Sequence, residues 1–283
     1  MPALEVSHLT FTYPTATRPS LTNLSFTVEA GELVAVVGAN NSGKSTLCYA
    51  LSGVVPNFYR GRYAGSVVAG EMNTTGYTIS ELAQKVGLVM QIPANQLSGV
   101  RYTVFEEVAF GLENLGVSRS EITERVTAVL AVTGLSNLGD RSPYQLSGGQ
   151  QQKLALAAVL AMSPSILVLD EPTTFLDPEG ALKVFDILLE LKQQGKTIII
   201  AEQRLEWVAE YADRVIVLAN GELVLSGTPE EVLISNIIKE IGLEWMPYTR
   251  TAELANQMGL WESDRPLPST FAATVTGFSN PEG

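Results

Sequence analysis

Four residues between positions 38 and 45 have the types and spacing of a phosphate-binding loop. The pattern G-x-x-x-x-G-K-[ST] is matched by Gly38, Gly43, Lys44 and Ser45. Backbone N–H groups of such a loop face a triphosphate, Lys44 adds a mobile positive charge, and the Ser45 hydroxyl can ligate Mg²⁺. An apolar run before the loop and a predicted helix after it favour phosphate binding over an ordinary glycine-rich turn with a surface lysine.

Two adjacent carboxylates follow a second apolar run. Asp170 and Glu171 come directly after residues 165–169, which predict a buried strand. Open parallel sheets bind ligands at the carboxyl ends of their strands. There Asp170 would hold Mg²⁺, directly or through water, and Glu171 would polarise the water that attacks a phosphate. The alternative is an acidic pair at a helix N-terminus, which the helix dipole favours.

Residues 146–150 form a second glycine-containing turn, Leu-Ser-Gly-Gly-Gln, before a predicted helix over 151–162. A Ser-Gly-Gly turn at a helix N-terminus is an anion-binding device. Because the chain already has a phosphate loop, the second device suggests a nucleotide held by another subunit. The alternative is a plain helix cap, for which Ser147 is an ordinary residue.

Two further side chains could reach a nucleotide. Gln91 closes a predicted apolar strand over 87–90, where its amide could contact Mg²⁺ or the attacking water. Most such glutamines are simply loop residues. Tyr13 ends a predicted strand upstream of the phosphate loop, and its ring could stack on a purine base. Its position alone favours the plainer interpretation, a half-buried aromatic at a sheet edge.

The composition is that of an α/β protein with one large domain and an appendage. The 283 residues are 46% hydrophobic and carry a net charge of −12, which argues against binding to nucleic acid or anionic lipid. Any membrane association would therefore run through a protein partner. No apolar run has the roughly 18 residues of a membrane-spanning helix, no signal peptide is predicted, and we expect a cytosolic chain. The single cysteine, Cys48, excludes an internal disulfide and predicts a small core residue.

The pattern of strands and helices divides the chain into stretches. Short strands alternate up to residue 32, and residues 29–32 predict a hairpin turn into the phosphate-loop strand. Helical periodicity between about 93 and 162 predicts a helical subdomain inserted between two α/β segments. Beyond residue 228 the pattern loosens, and the tail at 262–283 is predicted to be partly mobile. Aromatic residues in this extension suggest a surface for a partner, or else packing on its own domain.

The ordered set of motifs resembles the ATP-binding subunit of ATP-binding-cassette (ABC) transporters over about 230 residues. Finer features are similar to one branch, the ATPases of energy-coupling-factor (ECF) transporters, including the cobalt-type ones. These features are the C-terminal extension and the sequences at 9–14 (LTFTYP), 87–97, 104–115 (VFEEVAFGLENL), 140–153 (DRSPYQLSGGQQQK) and 201–206 (AEQRLE).

This resemblance implies a fold and a mode of assembly. The fold is an α/β P-loop NTPase (RecA-like) core with an N-terminal antiparallel β subdomain and a helical subdomain inserted at about 93–162. It implies an ABC ATPase domain at 1–228 and a C-terminal extension at 229–283 that contacts another subunit. In the family, two such subunits sandwich two ATP molecules head to tail. Closure on ATP and opening after hydrolysis drive a membrane subunit, which docks on the helical block entered after Gln91.

The resemblance also implies a role for each matching residue. Tyr13 would stack on adenine, and the phosphates would be held by Gly38, Asn40, Asn41, Ser42, Gly43, Lys44, Ser45 and Thr46. The ATP of the partner subunit would be met by Ser147, Gly148, Gly149 and Gln150, with Asp177 linking the two sites. Mg²⁺ would be held by Ser45, Gln91 and Asp170, and hydrolysis would depend on Glu171 as catalytic base with Gln203 and Gln91.

Two residues depart from the family pattern. Asn41 stands where the phosphate loop usually has a further glycine, and asparagine tolerates left-handed backbone angles better than most residues. Gln203 stands where the family has a histidine that contacts the γ-phosphate, and the single histidine, His8, is far from that position. Glutamine can donate a hydrogen bond but cannot carry the imidazolium charge. We therefore expect reduced or asymmetric hydrolysis, which favours a heterodimer with a second, histidine-bearing ATPase over a homodimer.

By the same resemblance, the chain would be the ATP-hydrolysing subunit of an importer for a vitamin or a transition-metal ion, at the cytoplasmic face of a prokaryotic cell membrane. Its partners would be a second ATPase subunit, a transmembrane coupling subunit and a substrate-binding membrane subunit, with no nucleic acid. The alternative is a regulatory or structural subunit that binds ATP and hydrolyses little of it, because of Gln203. A third candidate, a soluble ABC protein that acts on ribosomes or in DNA repair, is disfavoured. Such proteins usually need tandem cassettes or long coiled-coil insertions, and this chain is acidic.

Overall fold

The chain folds into two β-sheets with helices around them. The computed structural model describes residues 2–262 and 264–279. The strands are β1 (Leu4–Thr12), β2 (Leu21–Val28), β3 (Leu33–Val37), β4 (Arg62–Ala69), β5 (Met72–Asn73), β6 (Val86–Val89), β7 (Ile166–Asp170), β8 (Thr197–Ala201), β9 (Arg214–Ala219) and β10 (Glu222–Gly227). The helices are α1 (Lys44–Leu51), α2 (Val54–Asn57), α3 (Ile79–Leu82), α4 (Val104–Asn114), α5 (Arg119–Val132), α6 (Gly148–Ala161), α7 (Pro178–Gln193), α8 (Leu205–Tyr211), α9 (Pro229–Val232), α10 (Asn236–Glu240), α11 (Pro247–Gln257) and α12 (Phe271–Ser279).

A six-stranded sheet carries the site on one edge. Its order is β10-β9-β3-β8-β7-β6, and all neighbours pair in parallel except β10 with β9. Every residue of β3, β7 and β8 is buried, because alternate side chains enter two different cores. Ala35 packs into the core that includes α7, and Val36 packs into the core that includes α1. Because β3, β8 and β7 run in parallel, their carboxyl ends lie at one edge of the sheet.

The four-stranded sheet is antiparallel, in the order β2-β1-β4-β5, and shares a core with α1 and one face of the six-stranded sheet. Cys48 is buried in this core, which confirms the predicted core residue. The predicted hairpin at 29–32 is wrong. β2 pairs with β1, whereas β3 pairs with β8 and β9, so this turn carries the chain from one sheet to the other.

Helices α4, α5 and α6 share a separate apolar core, in which Val108 and Val126 are buried. Helix α4 starts after Thr103, whose hydroxyl accepts a hydrogen bond from the backbone N–H of Glu106. Helix α6 starts at Gly148 rather than at the predicted residue 151, because Ser147 is its N-cap. The Ser-Gly-Gly turn is therefore the beginning of the helix itself.

Helices α9 and α10 and the segment that follows them lie against the core. Trp245 and Met246 are buried in the same apolar cluster as Phe185 of α7. The segment between α11 and α12 is held through Thr249, whose hydroxyl donates to the Pro268 carbonyl at 2.7 Å. Of the tail predicted to be mobile, residues 271–279 form α12 and residues 280–283 lie outside the described residues. The domain boundary at residue 228 stays a prediction.

Part of the extension remains at the surface, where Phe271 and Phe278 of α12 are exposed. The extension thus packs on its own domain with one part and presents apolar side chains with another. Throughout residues 2–262 and 264–279, no helix has the length and apolar character needed to cross a membrane.

Candidate active site

The loop between β3 and α1 has a backbone that requires glycine at its end. Gly43 has a φ of 110°, and a Cβ placed there would lie 2.7 Å from the Ser20 carbonyl oxygen. Asn41 has a φ of 65°, so the residue that replaces the family's further glycine adopts the left-handed conformation that asparagine tolerates. The loop therefore leads directly into the N-terminus of α1, where backbone N–H groups are available to an anion.

The loop borders a cleft of about 1100 Å³. The predicted site residues that line this cleft are Tyr13, Asn40, Asn41, Ser42, Gly43, Lys44, Ser45, Thr46, Gln91, Glu171 and Gln203. They come from five separate parts of the chain, which the sheet edge and the loop bring together. A cleft of this size can take a nucleoside triphosphate.

Glu171 is the buried centre of a hydrogen-bond network in this cleft. Its Oε2 accepts from Gln91 Nε2 at 2.7 Å, and its Oε1 accepts from Gln203 Nε2 at 2.6 Å. The Lys44 ammonium lies 3.6 Å from Oε1. Each carboxylate oxygen has thus one amide donor, and a carboxylate oxygen can accept a second hydrogen bond, for example from a water.

Asp170 ends β7 and is buried, with no hydrogen-bond partner for either carboxylate oxygen among the described residues. Burial raises the pKa of Asp170 to about 6. The nearby Ser45 hydroxyl opposes this rise, because it stabilises the ionised carboxylate. Buried carboxylates without donors call for an explanation, and oxygen ligands are those that Mg²⁺ prefers. The Asp170 and Ser45 side chains therefore fit this ion. The alternative of a helix-terminal acidic pair is wrong, because the next helix, α7, starts only at Pro178.

Tyr13 lines the same cleft and contacts Thr46 of the phosphate-loop helix. Its hydroxyl is 3.4 Å from the Thr46 hydroxyl, and its ring packs edge-to-face on Phe11 with centroids 4.8 Å apart. It is half-buried, as the sheet-edge interpretation expects, and it also lines the cleft. Both interpretations of this side chain are therefore compatible with its position.

The second glycine turn does not line this cleft. The Ser147 hydroxyl accepts from the Gln150 N–H at 3.3 Å, and the Gln150 side chain accepts from the Ser147 N–H at 3.0 Å. Gly148 and Gly149 lie against Phe175 instead. Asp177 caps α7 by accepting from the Gly180 N–H at 2.8 Å. Ser147 is therefore a helix cap, as the alternative interpretation expects, and the turn does not lie at the chain's own phosphate loop.

Sequence reasoning missed Glu202, a buried carboxylate directly before Gln203. Its Oε1 accepts from the Gln203 N–H at 2.8 Å, and its Oε2 accepts from the Thr173 hydroxyl at 2.8 Å. Burial raises its pKa. The signal was an acidic residue after a buried strand, the same signal that identified Asp170. Arg18 and Asn220 also line the cleft, and no sequence pattern assigns them to a nucleotide site.

A phosphate loop after the central strand, with an acidic pair at the carboxyl end of a parallel strand, defines a P-loop nucleotide-binding protein. The sequence profile of the ABC transporter family matches residues 21–174, more than half of the chain. The chain belongs to the ABC transporter family as an ATP-binding subunit.

Individual relatives refine this assignment. The energy-coupling factor transporter ATP-binding protein EcfA1 of Levilactobacillus brevis is 41% identical over 253 residues, covering 89% of this chain and 88% of that protein. The structure of cbiO1 from Clostridium perfringens, part of the ABC transporter complex cbiONQ, has a TM-score of 0.72 and 32% identity, covering 91% of this chain and 99% of that one. A dimeric ATP-binding cassette bound to ADP and Pi has a TM-score of 0.71 and 27% identity, covering 80% of this chain and 98% of that one.

The predicted family and fold class are confirmed by these likenesses, and the chain is an ABC-type ATPase with energy-coupling factor relatives.

Proposed function

We propose that this chain is the ATP-binding and hydrolysing subunit of an ECF-type importer. The observation that supports this most strongly is the position of Glu171, which lies in the cleft of the phosphate loop between the amide donors of Gln91 and Gln203. A buried carboxylate held in this way can accept a proton from a water beside the γ-phosphate.

The chain's own groups would bind the nucleotide along the cleft. The loop N–H groups and Lys44 would hold the phosphates, and Tyr13 would stack on the base. Ser45 and Asp170 would hold Mg²⁺, together with the side-chain oxygen of Gln91, since the Gln91 nitrogen already contacts Glu171. Mg²⁺, when bound, neutralises charge on the phosphates.

Hydrolysis would proceed by in-line displacement. Glu171 takes a proton from the water as the water oxygen bonds to the γ-phosphorus and the bond to the bridging oxygen breaks, which leaves ADP and phosphate. Gln91 and Gln203 keep the carboxylate in place with their amide N–H groups, and Gln203 stands where the family has a histidine. Because glutamine is neutral, we expect slower hydrolysis than with histidine.

Assembly into a head-to-tail dimer would complete the site. Residues 147–150 present a helix N-terminus that does not line the chain's own cleft, so this turn would meet the ATP of a second subunit. Asp177 would lie between the two sites. The dimeric cassette bound to ADP and Pi supports this arrangement by analogy. A heterodimer with a histidine-bearing ATPase is favoured, and a homodimer is the alternative.

The remaining partners would be membrane proteins. The helical block of α4, α5 and α6 follows Gln91 along the chain, and a transmembrane coupling subunit would dock there. A substrate-binding membrane subunit would select the cargo, a vitamin or a transition-metal ion. This assembly would hold the chain peripherally at the cytoplasmic face of a cell membrane. The net charge of −12 gives no support to a nucleic-acid partner.

Purification of the tagged chain from native membranes in mild detergent tests the assembly. We expect a second ATPase chain and at least one membrane protein to co-purify at fixed ratios, and ATP hydrolysis to accompany them. Recovery of the chain alone, from membranes that contain it, would argue against the importer.

The second candidate function is an ATP-binding regulatory subunit with little hydrolysis of its own. Gln203 is the observation that favours it, because the side chain cannot carry a positive charge. In the assembled complex, Gln203→His should raise ATP turnover if this subunit hydrolyses ATP. A purely regulatory subunit predicts no change with this variant.

A further inference from the structure

The side-chain nitrogen of Gln203 makes two contacts that together fix its orientation. Nε2 lies 2.6 Å from Glu171 Oε1 and 3.1 Å from Asn40 Oδ1, so each of its two hydrogens has an acceptor. A carboxylate only accepts hydrogen bonds, and it therefore requires the nitrogen of the amide to face it. Asn40 accepts the other N–H and so sets the plane of the Gln203 carboxamide.

We propose that Asn40 and Gln203 act as one unit that positions Glu171, with Asn40 as a positioning residue for hydrolysis. The inference rests on the proposed function, because it concerns the same catalytic base. Asn40 lies in the phosphate loop and Gln203 follows β8, 163 residues later in the chain. One side-chain contact thus ties the loop that holds the phosphates to the donor that orients the base.

Exposure makes the Asn40 contact necessary. Asn40 and Gln203 are both exposed, whereas Glu171 is buried. An exposed glutamine loses rotamer entropy when it is fixed, and this loss is comparable with the net gain from a single hydrogen bond. With one acceptor, the Gln203 side chain would face Glu171 only part of the time. The second acceptor keeps it there.

The backbone beside Gln203 is already fixed by other groups. Its N–H donates to Glu202 Oε1 at 2.8 Å, and the buried Glu202 also accepts from Thr173. These contacts place the Cα of Gln203 but leave its side-chain torsions free. Asn40 supplies the constraint that the backbone contacts do not.

The arrangement is particular to glutamine. A ring nitrogen of histidine carries at most one hydrogen, so an imidazole could not donate to Asn40 and Glu171 from the same atom. Asn40 should therefore matter for hydrolysis when residue 203 is glutamine, and matter less when it is histidine.

A double-mutant cycle on the assembled complex tests the pair. Complexes with Asn40→Ala, Gln203→Ala or both are compared in steady-state ATP hydrolysis. The turnover that remains with Glu171→Gln in this chain is subtracted from each measurement, so that only hydrolysis that depends on Glu171 is compared. We expect each single variant to lower the kcat of that part roughly tenfold, with KM changed less than about twofold, and the double variant to be no slower than the slower single one. In the Gln203→His background, Asn40→Ala should change kcat less than about twofold.

Two further variants keep the result interpretable. Gln203→Glu preserves the size of the side chain but offers acceptors to Glu171, so it should lose as much kcat as Gln203→Ala. Gln194→Ala removes an exposed carboxamide at the end of α7 and should leave kcat unchanged. If the single effects add in the double variant while Glu171→Gln still removes turnover, the pairing is refuted and the proposed function stands. If Glu171→Gln removes no turnover, both are refuted.

Discussion

The Lys44 ammonium lies 3.6 Å from the Glu171 carboxylate and donates a hydrogen bond to the Gly38 carbonyl at 2.8 Å. Both charged side chains are buried. One cation therefore contacts the phosphate loop and the proposed base together. Phosphate oxygens would compete with the carboxylate for this cation, because they carry more negative charge. Nucleotide binding would then draw Lys44 away from Glu171.

Replacement of this lysine should weaken ATP binding. Lys44→Ala removes a charged donor to the phosphates, for which we expect a loss in ATP affinity of roughly 10- to 100-fold. Titration calorimetry with ATP measures it. Lys183→Ala is the control, because Lys183 is exposed and pairs with Glu179 on the same helix. Equal ATP affinities of the Lys44 variant and the wild type would contradict the proposal that Lys44 binds the phosphates.

The ring of Tyr13 should matter more than its hydroxyl. Tyr13→Ala removes a stacking surface, and stacking of a base on an aromatic ring predicts a loss in ATP affinity of roughly 5- to 100-fold. Tyr13→Phe keeps the ring and loses only the contact with Thr46, so affinity should stay within about twofold. Should Tyr13→Ala bind ATP as well as the wild type, the tyrosine is only an aromatic at the sheet edge.

Asp170 should make stability depend on pH when neither Mg²⁺ nor nucleotide is added. Burial raises its pKa from 3.8 to about 6, so the folded state holds the proton more tightly than the unfolded chain. Stability is therefore lost as pH rises through about 6, by about 3 kcal/mol for two pKa units.

Asp170→Asn removes this loss. In urea unfolding, the variant should be more stable than the wild type at pH 8 and equal to it near pH 4. Asp186→Asn, on an exposed position of α7, is the control. An Asp170→Asn difference that does not change with pH would contradict the burial of an ionised group.

The extension should contribute to the stability of the whole chain. Trp245 is 8% exposed, packs in the core cluster of α7, and donates its indole N–H to the Ser235 carbonyl at 3.0 Å. Trp245→Ala should lower the free energy of unfolding by about 3–5 kcal/mol. Phe271→Ala, at a side chain that is 69% exposed, should change it by no more than about 0.5 kcal/mol. Similar small effects of both variants would mean that the extension does not pack on the core.

The buried strands could be predicted from the sequence, and their partners could not. Residues 33–37, 166–169 and 198–201 are apolar throughout, which is typical of parallel strands covered on both faces. The turn at 29–32 looked like a hairpin because strands flank it. Pairing depends on contacts distant in sequence, such as Leu33 beside Ile198, which periodicity does not contain.

Much of the candidate site was predictable for a similar reason. Lys44 and Glu171 follow buried strands and Asp170 ends one, and parallel strands bring their carboxyl ends to one edge. The contact between Asn40 and Gln203 was not predictable, because it depends on side-chain orientations that backbone patterns do not determine. Arg18 likewise lines the cleft without any local motif.

ATP hydrolysis by the assembled complex with Glu171→Gln in this chain tests the central claim most directly, with the partner ATPase's own catalytic base already replaced. Glutamine preserves the shape of the side chain but cannot take a proton from water. The proposed mechanism predicts a fall in turnover of roughly 100-fold or more, with ATP affinity within about twofold of the unsubstituted chain. Unchanged turnover would contradict the claim that this chain hydrolyses ATP through Glu171.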